Sequence, residues 1–146
     1  MKKIFIALGL VLAFSFSGYS QATKMIGRWK TIDDVDGSPK SIVFVFKATN
    51  GKYYGKIEKL FKDPTKLCVA CEGSRKNQLI MGMLIINDMV EEDGKLTGGT
   101  ILDPKKGKVY QCNLSIDPKE GDKLKVRGSL DRGGLIGRSQ TWLRVN

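Results

Sequence analysis

Turn-forming residues recur roughly every ten positions from Gly27 onward, with β-branched and aromatic residues between them, and no long 3.6-residue apolar repeat intervenes. That spacing restricts the chain to short antiparallel strands. Strands are predicted at 27–32, 41–48, 52–60, 84–90, 95–102, 108–116, 123–130 and 137–145. Asn50-Gly51 and Asp93-Gly94 are two-residue hairpin signals that tolerate positive φ. Asp103 to Gly107 forms a longer turn, and Asp117 to Asp122 carries Pro118 and Gly121.

Within the later strands the alternation is clear. Tyr110, Cys112, Leu114 and Ile116 share one face against Gln111, Asn113 and Ser115, while Leu124, Val126 and Leu130 oppose Lys125, Arg127 and Ser129. One dry face on about eight short strands favours an all-β fold, a single antiparallel up-and-down β-barrel, because closure removes exposed edges. A flat sandwich is the alternative. A barrel of this size either fills its interior with side chains or holds one small ligand.

Residues 1–22 precede this pattern and are read as a signal peptide. Lys2 and Lys3 are followed by the apolar run Ile4 to Phe14 and then by mostly small residues. The run is shorter than the roughly 20 residues of a spanning helix. The protein is therefore expected to be exported, periplasmic or secreted, with no transmembrane segment, cleaved after Ser20 or after Ala22. Residues 23–146 then form one domain.

The full chain carries 25 Lys and Arg against 15 Asp and Glu, a net charge of +10. These lysines are spread through turns and alternate positions, which reads as solvated surface. Nucleic acid is not expected as a partner outside the cell; peripheral contact with the cell envelope is compatible with the charge. The chain contains no histidine. That removes Ser-His-Asp and Cys-His catalysis, His-ligated zinc and Cys-x-x-Cys-His haem attachment. No catalytic residue, cofactor or metal is assigned, and a conventional enzyme is not expected.

Phe61 to Met83 interrupts the strand pattern, leaving room for a short helix near Leu79 to Met83. Loops of this length are often functional or covalently tied down. Cys68 and Cys71 lie within it, and a disulfide is the leading reading in an oxidising compartment. A redox pair, a metal site completed by Cys112 with Glu72 or Asp63, and a bridge to Cys112 are the others. With a Cys68–Cys71 bridge, Cys112 is a buried free thiol. Asp33, Asp34, Asp36 and Gly37 lack the ligand spacing of an EF-hand and read as a turn with solvated carboxylates.

Gly27-Arg28-Trp29 opens the domain and Trp142-Leu143-Arg144 closes it. In a closed barrel the first and last strands are neighbours, so a Trp of one can lie under an Arg of the other. This resembles the start and Arg partner of the lipocalin and fatty-acid-binding superfamily. On the last strand Arg138, Gln140, Trp142 and Arg144 share a side. If Trp142 points inward an Arg goes with it and must be paired or meet an anion; alternatively this side faces outward. Asp103 could face Arg127 or Arg138 across the barrel mouth.

Gly27 to Thr31, Asp33-Asp34, Gly37, Tyr54 to Ile57, Cys68 and Cys71, Gly98 to Pro104, Gly107 to Tyr110, Leu124 to Gly128 and Gly137 to Trp142 together resemble the exported bacterial family named domain of unknown function 2147. The resemblance runs from about Gly27 to Val145. It implies export and a lipocalin-like barrel, and it supplies no activity. The expected function is binding of a small ligand, a fatty acid or other amphipathic anion, by a monomer. Candidate ligand-binding residues are Trp29, Tyr54, Tyr110, Arg127, Arg138, Gln140, Trp142 and Arg144. The alternative is a structural or interaction protein of the cell envelope with no internal ligand.

Overall fold

The computed structural model describes residues 20–131 and 134–146, so most of the expected signal peptide lies outside the described residues. Eight strands form a closed antiparallel barrel in sequence order: β1 (Gly27–Ile32), β2 (Pro39–Lys47), β3 (Tyr53–Leu60), β4 (Leu84–Glu92), β5 (Lys95–Asp103), β6 (Lys108–Ile116), β7 (Lys123–Ser129) and β8 (Gly137–Val145). Closure is made by β1 against β8, with Trp29 opposite Arg144. A sandwich is thereby excluded. Among the described residues no helix is long and apolar enough to cross a bilayer.

Alternation follows the pleat. Val43 and Val45 of β2, Leu114 of β6 and Leu124 and Val126 of β7 are buried, while their neighbours face outward or are half-buried. The predicted pattern slips at the end of β7. Ser129 is fully buried and Leu130 is exposed, because the strand ends at Ser129 and its hydroxyl turns back to donate to the Asp131 carbonyl.

Connections after odd-numbered strands share one end of an up-and-down barrel, and those after even-numbered strands share the other. The second end is closed. A short 3-10 turn at Thr23–Met25 lies across it, with Ala22, Met25 and Trp29 fully buried. The Trp29 indole N–H donates to the Met25 carbonyl at 2.8 Å, and the Arg144 guanidinium lies 4.2 Å from the Trp29 ring centroid. Arg144 also donates to the carbonyls of Lys24 and Ile26, tying the chain start to β8.

Cys68 and Cys71 form a disulfide, and Cys112 is the free cysteine among the described residues. The bridge stabilises a folded connection in which Cys68 N–H donates to Gln78 O and Ile80 N–H to Lys66 O. Cys68, Cys71 and Ile80 are buried. The short helix for which 79–83 left room does not form: Leu79 makes an isolated bridge to Leu67, a bend and a turn follow, and a 3-10 turn forms earlier at Gly73–Arg75. Gly107 lets the connection pack down. Its φ is +67°, and a Cβ there would come within 1.8 Å of the Ala70 carbonyl oxygen.

Burial pushes the Cys112 thiol up to about 12, so it stays protonated and shielded in the folded barrel. A thiol-specific chromogenic reagent is expected to find no reactive group in the native oxidised protein. After denaturation without reductant it is expected to find one per chain; rapid native labelling would contradict the placement of Cys112.

Candidate functional site: a half-filled barrel with a basic mouth

The lower half of the barrel is solid. Trp29, Tyr53, Ile86, Met89, Leu96, Leu114, Leu124 and Cys112 fill it without solvent access worth noting. Above them the interior opens into a pocket of about 700 Å³. That volume falls within the roughly 300–1,000 Å³ typical of small-molecule sites.

The pocket wall is mostly apolar, with Ile57, Leu60, Ile80, Ile85, Ile101, Val126 and Trp142 among its lining residues. Thr31 and Ser41 also line it, and their hydroxyls pair at 2.7 Å, leaving neither unsatisfied. The open end is ringed by Lys40, Lys62, Lys66, Lys105, Lys106 and Lys108 with Arg138, against Asp33 and Asp103. The sequence presents these lysines as dispersed. Closure of the barrel gathers them, because they sit at or near connections that share one end.

Trp142 points inward and is 3% exposed, so the inward alternative for β8 holds. Its indole N–H donates to the Gln140 side-chain oxygen at 3.2 Å. Gln140 in turn donates to the Asp34 carboxylate at 2.7 Å, and Arg138 pairs with that carboxylate at 3.1 Å. A polar chain thus runs from the buried indole to the mouth. Asp34, expected to be a solvated turn residue, is its anchor. Asp103 shares the mouth with Arg138 but makes no ion pair among the described residues; its carboxylate accepts the backbone N–H of Lys105 and Lys106 and shapes the β5–β6 turn.

Of the eight candidates, Tyr110, Arg138, Gln140 and Trp142 line the pocket. Trp29 and Arg144 form the plug at the far end. Tyr54 lies on the outer face, where its hydroxyl donates to Asp88 and accepts from Asn50, because its neighbour Tyr53 takes the inward position. Arg127 also faces out. It donates to the Gly134 carbonyl and the Ser139 hydroxyl and braces the β7–β8 connection. Alternation on β3 places Ile57 inward with Tyr53 and Gly55, but alternation alone could not find Ile80, Ile85 or the lysine ring, which depend on closure and on the packed 61–83 connection.

Asp131 organises the same β7–β8 connection. Its carboxylate accepts the backbone N–H of Ile136 at 2.8 Å and of Leu135 at 3.0 Å, which holds it below the usual carboxylate range, with Arg127 adding to the effect. A depressed carboxyl contributes its stabilisation above its unfolded value and loses it as pH falls through the folded value. The Leu135 and Ile136 amide resonances are therefore expected to titrate together with a midpoint below 3.8. Amides that shift with a midpoint at or above that value would contradict this contact.

The sequence profile of a family described as "Uncharacterized protein conserved in bacteria (DUF2147)" matches residues 27–144. None of the curated proteins matches the chain. A solved structure, "Protein HP1028 from the human pathogen Helicobacter pylori belongs to the lipocalin family", superposes with a TM-score of 0.71 at 21% identity, over 83% of this chain and 82% of that one. At that identity the likeness establishes the fold, a lipocalin-like barrel.

Proposed function

The chain belongs to the bacterial family DUF2147, and for this member we propose the binding of a small single-tailed amphipathic anion, a fatty acid or a lipid fragment like it. The tail lies in the barrel pocket and the head sits among the rim lysines. One observation carries this reading: a pocket of about 700 Å³ with apolar walls that opens through a ring of lysines. An envelope protein without an internal ligand has no use for that cavity, so the first reading is preferred.

The energetics are adequate. Burying about ten methylenes contributes on the order of 8 kcal/mol before costs. Lost translational freedom and ordering of the tail subtract several kcal/mol. Attraction between an anionic head and several lysines in solvent returns a smaller amount, which leaves a net of about 5 kcal/mol and binding on the order of 0.1 mM. Arg138 already has Asp34 as its partner, so the lysines are the groups free to meet the head.

Export is part of the proposal. It is supported by the leader-like pattern of residues 1–22 and by the Cys68–Cys71 bridge, which persists in oxidising compartments. Ala22 is fully buried, which favours cleavage before Gln21 over cleavage after Ala22.

Native mass spectrometry of the protein secreted from its host tests both parts. The expected spectrum shows a chain beginning at Gln21 that carries one fatty-acid-sized adduct, released on unfolding. A chain that retains residues 1–20, or one that neither carries nor takes up such a molecule, would count against the corresponding part.

A further inference from the structure

We infer that the open end of the barrel is a docking face for an anionic lipid bilayer. The inference goes beyond the pocket reading and needs no ligand in the pocket. It starts from where the apolar surface lies. Nine of the twelve large exposed hydrophobic side chains among the described residues belong to the three connections 33–38, 61–83 and 130–136, all at the open end. The most prominent are Val35, Val69, Leu79, Leu130, Leu135 and Ile136, with Leu135 at 87% exposure. The connections at the closed end contribute none. Such polarity of exposed apolar surface marks an interaction site.

Charge at this end has the complementary form. All three lysine ion pairs among the described residues, Lys52–Asp88, Lys123–Glu120 and Lys125–Asp117, involve a residue of a closed-end connection. None of the six rim lysines has an ion pair among the described residues, and all six are exposed. Most acidic groups at this end are engaged: Asp34 by Arg138 and Gln140, and Asp33, Asp36, Asp63, Asp103 and Asp131 by backbone N–H groups, with Glu72 left exposed in the 61–83 connection. Each free lysine at an anionic lipid surface is attracted to it, and the attraction is salt-sensitive.

The β7–β8 connection is built to keep its apolar side chains outward. Leu130 N–H donates to Ile136 O at 2.8 Å, Asp131 takes the N–H of Leu135 and Ile136, and Arg127 takes the Gly134 carbonyl. These backbone groups are satisfied within the barrel, as entry into an interfacial layer requires. A bilayer is favoured over a protein partner because the apolar side chains are divided among separate connections around an open mouth, with lysines between them. A fluid surface accommodates that dispersion, with apolar groups at the acyl boundary and cations at the headgroups. A mouth held against lipid also faces the source of a single-tailed anion.

The test is vesicle flotation with the mature full chain, using phosphatidylcholine vesicles and vesicles with about 30% phosphatidylglycerol. Binding is expected only to the anionic vesicles, at about 0.05 M salt, and is expected to be largely lost at about 0.5 M. Leu135→Asp with Val69→Asp, and separately Lys105→Glu with Lys106→Glu, are each expected to lower partitioning at least about tenfold. The closed-end reversal Lys95→Glu with Lys119→Glu is expected to leave it unchanged; thermal melts confirm that each variant is folded. No binding to anionic vesicles, or an equal loss from the closed-end reversal, overturns the inference. Because vesicle binding is read without any pocket ligand, failure here leaves the pocket reading standing, and failure of the pocket reading leaves this one standing.

Discussion

Replacing Trp29 with alanine is expected to lower the unfolding free energy by about 4 kcal/mol, the largest single-residue loss in the barrel. Three effects add at one position. The indole is fully buried between β2 and β8, opposite Val43 and Arg144, so its removal leaves a cavity at the closed end. The Met25 carbonyl loses its indole donor, and the Arg144 guanidinium loses the ring beneath it. Cation–π contact alone contributes about 0.5–2 kcal/mol. Against a total stability of roughly 5–15 kcal/mol, the variant is close to unfolding at physiological temperature. Urea titration followed by circular dichroism reads the loss directly. Trp29→Phe keeps most of the packing and forfeits mainly the hydrogen bond, so a drop nearer 1–2 kcal/mol is expected there. If the alanine variant loses less than about 2 kcal/mol, the plug is not a principal support of closure.

Gly128→Phe is expected to weaken binding of a fatty acid at least about tenfold while leaving the barrel folded. Gly128 sits on β7 opposite Cys112 and Arg138 and faces the pocket. A Cβ built there has Ile101 and Tyr110 as its nearest neighbours, at 3.6 Å, an ordinary contact distance. There is room for the side chain to start, and the ring then extends into the space a ligand tail would use. Glycine in a strand interior weakens the strand, so stability is expected to hold or rise slightly. Competition against a fluorescent fatty-acid probe measures the effect. Unchanged affinity in a folded Gly128→Phe variant would move the ligand out of the barrel.

The architecture was legible because strand alternation and turn chemistry act over a few residues. Tyr110, Cys112 and Leu114 declare their face by spacing alone, and Asn50-Gly51 and Asp93-Gly94 mark their turns by what φ they tolerate. Trp29 and Arg144 could be paired from the two chain ends because an up-and-down barrel has only one place to close. The site was legible in part. Arg138, Gln140 and Trp142 share a side of β8, but their partner Asp34 comes from a connection more than a hundred residues earlier in the chain. Local periodicity carries no information about that meeting. The lysine ring failed to register for the same reason. Lys40, Lys62, Lys66 and Lys105 look scattered until the rule that alternate connections share an end is applied to them together. Tyr54 and Arg127 were drawn toward the site by chemistry, whereas Tyr53 and the β7–β8 connection determine where they lie.

Calorimetric titration of the ligand-free mature protein with dodecanoate, and in parallel with dodecanol, separates the tail from the head. A barrel that holds a single-tailed anion takes up one dodecanoate per chain with an affinity on the order of 0.1 mM, and takes up the uncharged alcohol several-fold more weakly. Saturable heat from neither compound, with the protein folded, would contradict an internal lipid site.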